Sequence, residues 1–259
     1  MLKRKQSATN AEWLEAVKEI ENTVPKTEIT ELTEKAISEI KSKTAGKKCA
    51  YAWSAGKDSI VLGDVCRKSG ITDSMIAVTD LEYPAFLNWI EENKSENCTL
   101  INVGYDIEWL SKHQNLIFPQ DSATAAHWFS IVQHKAQRQY FKENNLDIIL
   151  LGRRKADGNY VGKGDNLYTD GKGVTRYSPL SEWSHEHLLA YIYYNKLSLP
   201  PIYGWKNGYV CGTHPWPARQ WTGSIENGWK EVYEIDKSIV EKAAEYIQSA
   251  KAFLGGDAQ

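Results

Sequence analysis

The sequence predicts an α/β fold in which a parallel sheet has helices on both faces and helical segments extend it at both ends. Two observations lead to this prediction. Between residues 49 and 151, short apolar runs alternate with longer amphipathic segments, as strands and helices do in βα units. The composition of the 259 residues, 42% hydrophobic and 25% charged, is that of a globular protein and excludes bulk disorder or a fibrous repeat.

Residues 1–46 are predicted to form an N-terminal helical extension of two helices. The segment Thr9-Asn10-Ala11-Glu12 fits a capping box, after which Trp13, Val17 and Ile20 share one helical face. Pro25 ends this helix, and a second apolar stripe follows in residues 29–40. The polar, basic stretch at residues 1–10 has no apolar core and is not expected to be a secretory signal.

Residues 47–203 are predicted to form a Rossmann-like α/β domain. Its strands are expected at residues 49–53, 75–79, 99–103 and 147–151, and its helices at residues 58–68, 84–93, 106–112, 122–144 and 185–196. The glycine-rich stretch 153–177 predicts a long mobile loop with a hairpin at Asp170-Gly171. Residues 204–259 form a Trp-rich segment and a terminal helix, 230–253, expected to pack on the same domain.

Charge and cysteine content narrow the classes of function. The net charge of −2 gives no global field for nucleic acid, which is therefore not favoured as a partner, although a local basic patch is left open. No apolar run reaches the roughly 18 residues of a membrane helix, so no membrane association is expected. The four cysteines are scattered without a CxxC pair, which predicts a cytoplasmic protein with no zinc or iron–sulfur site.

The segment Ser54-Ala55-Gly56-Lys57-Asp58-Ser59 carries the clearest chemistry. It lies between a predicted strand and an amphipathic helix, where backbone N–H groups at a helix start form an anion site. A glycine lets the backbone approach a phosphate, a lysine supplies positive charge and two serines supply hydroxyl donors. The order of residues is not that of a Walker A loop. The alternative is a polar turn with an ordinary helix cap.

These six residues resemble the PP-loop of the phosphoadenosine phosphosulfate (PAPS) reductase family, whose members share an adenine-nucleotide-binding fold. Residues 151–157 (Leu-Gly-Arg-Arg-Lys-Ala-Asp) and 177–183 (Tyr-Ser-Pro-Leu-Ser-Glu-Trp) resemble two further segments of that family, so the resemblance spans residues 46–205. It implies that residues 54–59, hereafter the PP-loop, hold a phosphate or sulfate, with Lys57 also serving catalysis. It also implies that Gly152, Arg153 and Arg154 act on the same anion, Arg153 catalytically. Only Thr79 clearly matches the family's nucleoside-contacting turn after the second strand.

The physics of open parallel sheets agrees with this arrangement. Ligands bind beyond the carboxyl ends of the strands, and the loops after residues 53, 79 and 151 all lie at that edge. The planar guanidinium group of arginine, with its paired N–H donors, suits phosphate or sulfate recognition. The alternative for the basic run at residues 153–155 is a solvated surface.

The segment Cys211-Gly212-Thr213-His214 resembles the Cys-Gly-Leu-His of PAPS reductases, in which a thiolate attacks the sulfate sulfur. The resemblance implies that Cys211 is the nucleophile and that His214 assists catalysis, since an imidazolium lowers a thiol pKa. Here 45 residues follow His214, whereas the family's motif lies near the C-terminus. The alternative is a half-buried structural cysteine.

The resemblance implies an enzyme for sulfur transfer or reduction that uses PAPS or adenylyl sulfate, with a thioredoxin-like reductant as partner. An ATP pyrophosphatase that forms AMP while it activates an acceptor, as in nucleic-acid sulfur modification, is the first alternative; Mg²⁺ would then accompany ATP. A non-catalytic nucleotide-binding module is the second. No protein-bound metal is predicted, and a homo-oligomer is left open. The four tryptophans of residues 204–229 are expected to pack the terminal helix, with stacking on bases as the alternative.

Overall fold

A computed structural model describes Leu2 and residues 8–256 of the chain. Most of the predicted polar N-terminus, residues 1 and 3–7, and the last three residues of the predicted C-terminal segment lie outside the described residues.

Six strands of the described chain form one sheet in the order β3-β2-β1-β4-β6-β5. They are β1 (Cys49–Ala52), β2 (Ser74–Val78), β3 (Cys98–Asn102), β4 (Ile148–Leu150), β5 (Leu167–Thr169) and β6 (Thr175–Tyr177). Every neighbouring pair is parallel except β5 with β6. The innermost strands are apolar runs because a parallel sheet covered by helices buries both faces. The predicted α/β fold is confirmed.

Helices surround the sheet and extend it at both ends. They are α1 (Asn10–Lys18), α2 (Ile20–Thr23), α3 (Lys26–Thr44), α4 (Lys57–Lys68), α5 (Pro84–Asn93), α6 (Ile107–Ser111), α7 (Ser122–Phe129), α8 (Lys135–Glu143), α9 (His185–Asn195), α10 (Gly208–Cys211), α11 (Ile225–Ile235), α12 (Lys237–Ala244) and α13 (Gln248–Gly256). Helix α4 packs on β1, and α8 packs on β2 and β4. No helix among the described residues has the length and apolar character needed to cross a bilayer.

The N-terminal helices pack onto the sheet domain. The capping box at Thr9 is present, since the Thr9 side chain accepts from the Glu12 N–H and the Glu12 side chain accepts from the Thr9 N–H. Helix α1 contacts α9 and α10, while α3 contacts α4 and α9. Trp13, the first residue of the predicted apolar face, is fully buried.

The structure corrects four predicted elements. The first N-terminal helix, expected to carry Trp13, Val17 and Ile20 on one face, is divided at Glu19 into α1 and α2. The helix expected at residues 122–144 contains a π-helical turn, Ser130–His134, between α7 and α8. The terminal helix expected at residues 230–253 is divided among α11, α12 and α13, because Asp236 is extended and its side chain caps α12 at the Ser238 N–H. The stretch 153–177 contains the predicted hairpin, and its second strand, β6, joins the main sheet beside β4.

Candidate functional site

A cleft opens at the carboxyl edge of the parallel strands. Its cavity measures about 440 Å³ and is lined by four segments of chain. The PP-loop follows β1, and residues 151–159 follow β4. The face of α7 and α8 forms a third wall, and residues 203–221 form the fourth. The cleft therefore lies where an open α/β sheet binds its ligands.

Hydrogen bonds centred on Ser59 hold the PP-loop in shape. The Ser59 hydroxyl accepts from the Ser54 N–H at 2.9 Å and donates to the Gly56 carbonyl at 2.9 Å. Ala55 adopts a left-handed backbone with a φ of 54°, and Gly56 is the N-cap of α4. The loop thus turns sharply so that the first turn of α4 faces the cleft, as an anion site requires. Ala55 itself is buried and does not line the cavity.

Two residues that follow α9 in the chain, Tyr203 and Thr213, form hydrogen bonds with the PP-loop. The Thr213 hydroxyl donates to the Ser54 carbonyl at 2.9 Å, and the Lys57 N–H donates to the Tyr203 hydroxyl at 2.7 Å. A Cβ at Gly56 would lie 3.2 Å from the Thr213 hydroxyl, so glycine permits this close approach. Residues beyond the predicted sheet domain are therefore part of the cleft.

Lys57, which is buried, and Asp58, which is half-buried, form a charge pair at the start of α4. The Lys57 ammonium lies 2.8 Å from a carboxylate oxygen of Asp58 and 5.0 Å from the ring centroid of Trp13. Only 2% of Lys57 is exposed, yet the residue lines the cavity. A cation held in this way is only weakly screened by solvent and salt.

Arg154 lies behind two carboxylates that line the cleft, those of Asp58 and Asp157. It is fully buried and does not line the cavity, so the structure does not bring it to the anion site that the sequence predicts. Its guanidinium donates to Asp58 at 2.6 Å and to the Trp183 carbonyl at 3.1 Å, and lies 3.1 Å from Asp157. Burial acts to lower its pKa, but the two carboxylates outweigh burial and raise it. Arg154 joins the PP-loop to the segment that follows β4.

Arg153, in contrast, lines the cavity. Its guanidinium donates to the Tyr168 hydroxyl of β5 at 2.9 Å and lies 2.5 Å from Nε2 of His134 in the π-helical turn. Burial and the charge of Arg153 lower the pKa of His134 to about 4, so the imidazole is neutral at pH 7 and accepts this bond. The hairpin and the π-helical turn thus position Arg153 from two sides.

Gly152 brings the segment after β4 against the PP-loop. A Cβ at this position would lie 3.0 Å from the Asp58 carbonyl oxygen and 3.2 Å from the Ser59 nitrogen. These are backbone atoms, so a larger residue would displace the first turn of α4. Gly152 also lines the cavity.

Thr79 contacts Glu82 and not the cleft. The Thr79 N–H and hydroxyl both donate to one carboxyl oxygen of Glu82 at 3.2 Å, and Thr79 is 1% exposed. The Trp216 N–H donates to the Leu81 carbonyl, which places the C-terminal segment over the loop after β2. The structure therefore does not bring Thr79 together with the other predicted binding residues.

Cys211 ends α10 and is buried at 3% exposure, outside the cavity lining, whereas Gly212, Thr213 and His214 line the cavity. Burial acts to lower the pKa of the nearby Arg219 guanidinium, but Coulombic interactions with Cys211 and Tyr83 and the hydrogen bond to Glu231 outweigh burial and raise it. Asn207 and Gly212, which flank α10, both have positive φ.

The other three cysteines lie in β1, α4 and β3, so the cysteine set does not fit an iron–sulfur cluster. Residues 2 and 8–256 hold no group of three or more His, Cys, Asp or Glu arranged for a metal.

Sequence reasoning missed several residues that line the cavity. Gln137 and Phe129 were not singled out, although the spacing of Ala125, Phe129, Gln133 and Gln137 places these four residues on one helical face. Tyr203 was not assigned a binding role. Of the four C-terminal tryptophans, Trp221 alone lines the cleft and is 47% exposed. Trp216 and Trp229 pack in the core with ring centroids 5.6 Å apart, as predicted.

Comparison with known proteins places the chain in a family. No curated protein sequence matches it. Similar solved structures include a PAPS reductase from Candida auris in a phosphate complex (15% identity, 69% of this chain and 91% of that chain, TM-score 0.49). A second is an NMN synthetase from Francisella tularensis (18% identity, 66% of this chain and 71% of that chain, TM-score 0.45). A third is the U34-tRNA thiolase NcsA from Methanococcus maripaludis with its [4Fe-4S] cluster (14% identity, 99% of this chain and 82% of that chain, TM-score 0.43). The family model for the phosphoadenosine phosphosulfate reductase domain matches residues 48–211, more than half of the chain. The chain therefore belongs to the phosphoadenosine phosphosulfate reductase domain family.

Proposed function

We propose that the chain is an enzyme that binds an adenine nucleotide in the cleft, with its phosphate or sulfate end at the PP-loop, and that it transfers or reduces the sulfur of PAPS or adenylyl sulfate. One observation carries the binding proposal: the PP-loop and Arg153 line the same cavity of about 440 Å³. That volume is within the usual range for small-molecule sites.

Most of the predicted residues then have roles that fit their positions. Lys57 and Arg153 neutralise the anion and Ser54 supplies a hydroxyl group. The Ser59 hydroxyl, which donates to the Gly56 carbonyl, shapes the loop. Gly56 and Gly152 leave room for backbone approach, and Asp58 with Arg154 holds the PP-loop in place. If ATP is the substrate, Mg²⁺ enters with its phosphates.

In the sulfur chemistry, Cys211 would be the nucleophile. Its thiolate would attack the sulfate sulfur, a sulfur–sulfur bond would form, and the sulfur–oxygen bond to the nucleotide phosphate would break. The nucleotide leaves with that oxygen and the cysteine carries a sulfonate. A thioredoxin-like dithiol then releases sulfite and becomes a disulfide. Cys211 is buried outside the cavity lining, so this step requires its thiol to turn toward the cleft.

The burial of Cys211 favours a second candidate function, AMP-forming cleavage of ATP. An acceptor oxygen would attack the α-phosphate, and the bond to the β-phosphate would break, releasing pyrophosphate and leaving AMP on the acceptor. A second nucleophile would then displace AMP from the acceptor. This chemistry needs no cysteine in the cleft. Acceptors in nucleic-acid sulfur modification belong to this candidate, and a module that binds nucleotide without turnover is the remaining alternative.

Intact-protein mass spectrometry separates these candidates. Reduced protein is incubated with PAPS or adenylyl sulfate, and we expect a sulfonate-sized mass increase that is lost in Cys211→Ser. Cys98→Ser, which alters a half-buried cysteine in β3, is the matched control and keeps the adduct. No adduct on a folded protein that binds nucleotide would reject the sulfur chemistry and favour ATP cleavage, which is then measured as pyrophosphate release.

A further inference from the structure

One polar side chain in the cleft wall lacks a partner. Gln137 of α8 lines the cavity, is 4% exposed, and its Oε1 atom is buried without a hydrogen bond. Of the described residues, Gln137 alone lines this cavity and also has a buried side-chain atom with no partner. Buried polar groups are nearly always hydrogen-bonded, so this exception needs an explanation.

The position of Gln137 indicates what kind of group would satisfy it. Helix α8 packs on β2 and β4, and Ala52 and Leu151, at the ends of β1 and β4, line the same cavity. The cationic groups Lys57 and Arg153 belong to the PP-loop and the segment after β4. Gln137 is neutral, so it suits an uncharged donor of the ligand rather than the anion that Lys57 and Arg153 would neutralise.

Two aromatic side chains line the same cavity, and one of them, Phe129, has its ring centroid 5.6 Å from the Arg153 guanidinium. Phe129 is 36% exposed and Trp221 is 47% exposed, and both line the cavity. Trp221 has a φ of 59°, a left-handed conformation that bulky residues rarely adopt and that is concentrated at functional sites. Exposed aromatic faces of this kind stack on planar bases.

We propose that Gln137 is a specificity-determining residue that reads the adenine base. Its carboxamide oxygen accepts from the 6-amino group, and its amide nitrogen donates to a neighbouring ring nitrogen. A carboxamide pairs with adenine in this way because adenine presents a donor beside an acceptor. This inference rests on the proposed nucleotide binding at the PP-loop.

Calorimetric titration of the full chain tests it with three probes: ATP, purine riboside 5′-triphosphate, which lacks the 6-amino group, and inorganic tripolyphosphate, which lacks the nucleoside. The wild type is expected to bind ATP about tenfold more tightly than the deaminated analogue. Gln137→Leu should reduce this preference to less than about twofold and leave tripolyphosphate affinity unchanged. Gln139→Leu, on the exposed side of the same helix, should keep the wild-type preference.

A second measurement shows whether the Gln137→Leu variant is folded. Thermal unfolding of unliganded Gln137→Leu should occur at or above the wild-type temperature, because the substitution removes a buried oxygen that has no partner. Binding of ATP and tripolyphosphate with an undiminished preference for ATP in Gln137→Leu would overturn the role of Gln137 alone. Failure of the wild type to bind any of the three probes would overturn the proposed nucleotide binding and this inference with it.

Discussion

Glu82 is a buried carboxyl group in the loop after β2. Burial raises its pKa to about 8, although hydrogen bonds from Thr79 act in the opposite direction. The group is therefore protonated in the folded protein at pH 7, whereas it ionises near pH 4.5 when unfolded. The neutral acid lets this loop pack beneath the C-terminal segment without burying a charge.

This carboxyl group predicts a pH dependence of stability. Because its folded pKa exceeds its unfolded pKa, its contribution to stability is complete below pH 4.5 and is lost as the pH rises toward 8. Between pH 5 and pH 8 the wild type should lose roughly 1–3 kcal/mol of unfolding free energy relative to Glu82→Gln. Urea unfolding at several pH values measures the difference. Glu92→Gln, on the surface of α5, should run parallel to the wild type; parallel curves for Glu82→Gln as well would refute the prediction.

The two adjacent arginines show what sequence alone leaves undetermined at the scale of residues. Both are basic and both follow β4, so the sequence pattern does not distinguish which of the two lines the cleft. Arg154 has extended backbone angles, and successive side chains of an extended chain point to opposite sides. One guanidinium consequently lines the cleft while the other joins Asp58 and Asp157 inside the protein.

At the scale of elements, hydrophobic patterning predicted the first four strands to within one residue at each end. The hairpin at Asp170-Gly171 was predicted, but the pairing of its second strand, β6, with β4 was missed because Thr175-Arg176-Tyr177 contains no apolar run. The break at Asp236 was missed because apolar spacing continues from Val232 to Val240 across it. The cap that ends the pattern is a local hydrogen bond, which periodicity does not report.

The contact between the segment after β4 and α4 gives a prediction at this scale. Gly152→Ala should destabilise the protein by about 1–3 kcal/mol, because its Cβ would lie 3.0 Å from the Asp58 carbonyl oxygen. Chemical denaturation measures the loss. Gly171→Ala is the matched control, since a Cβ at that position would have no neighbouring atom within 4 Å and the residue's φ is not positive. Equal stability of the two variants would show that the close approach is not required.

At the scale of the whole molecule, the terminal segments build part of the cleft. Trp13 of α1 lies beneath the Lys57 ammonium, and Tyr203 and Thr213 bond the PP-loop from the C-terminal side. The family match ends at residue 211, before Thr213 and His214. The match thus covers the sheet, the PP-loop and most of the cleft lining, while residues 212–221 complete the fourth wall from outside it.

The measurement that tests the central claim most directly is calorimetric titration of ATP and of PAPS into the wild type and Lys57→Ala. Loss of a charge-assisted contact at the PP-loop should weaken binding by about 1.5–3 kcal/mol, roughly 10- to 100-fold. Lys68→Ala, at the opposite end of α4, should bind as the wild type does. Unchanged affinity in Lys57→Ala, with the variant folded, would contradict the placement of the nucleotide's anionic end at the PP-loop.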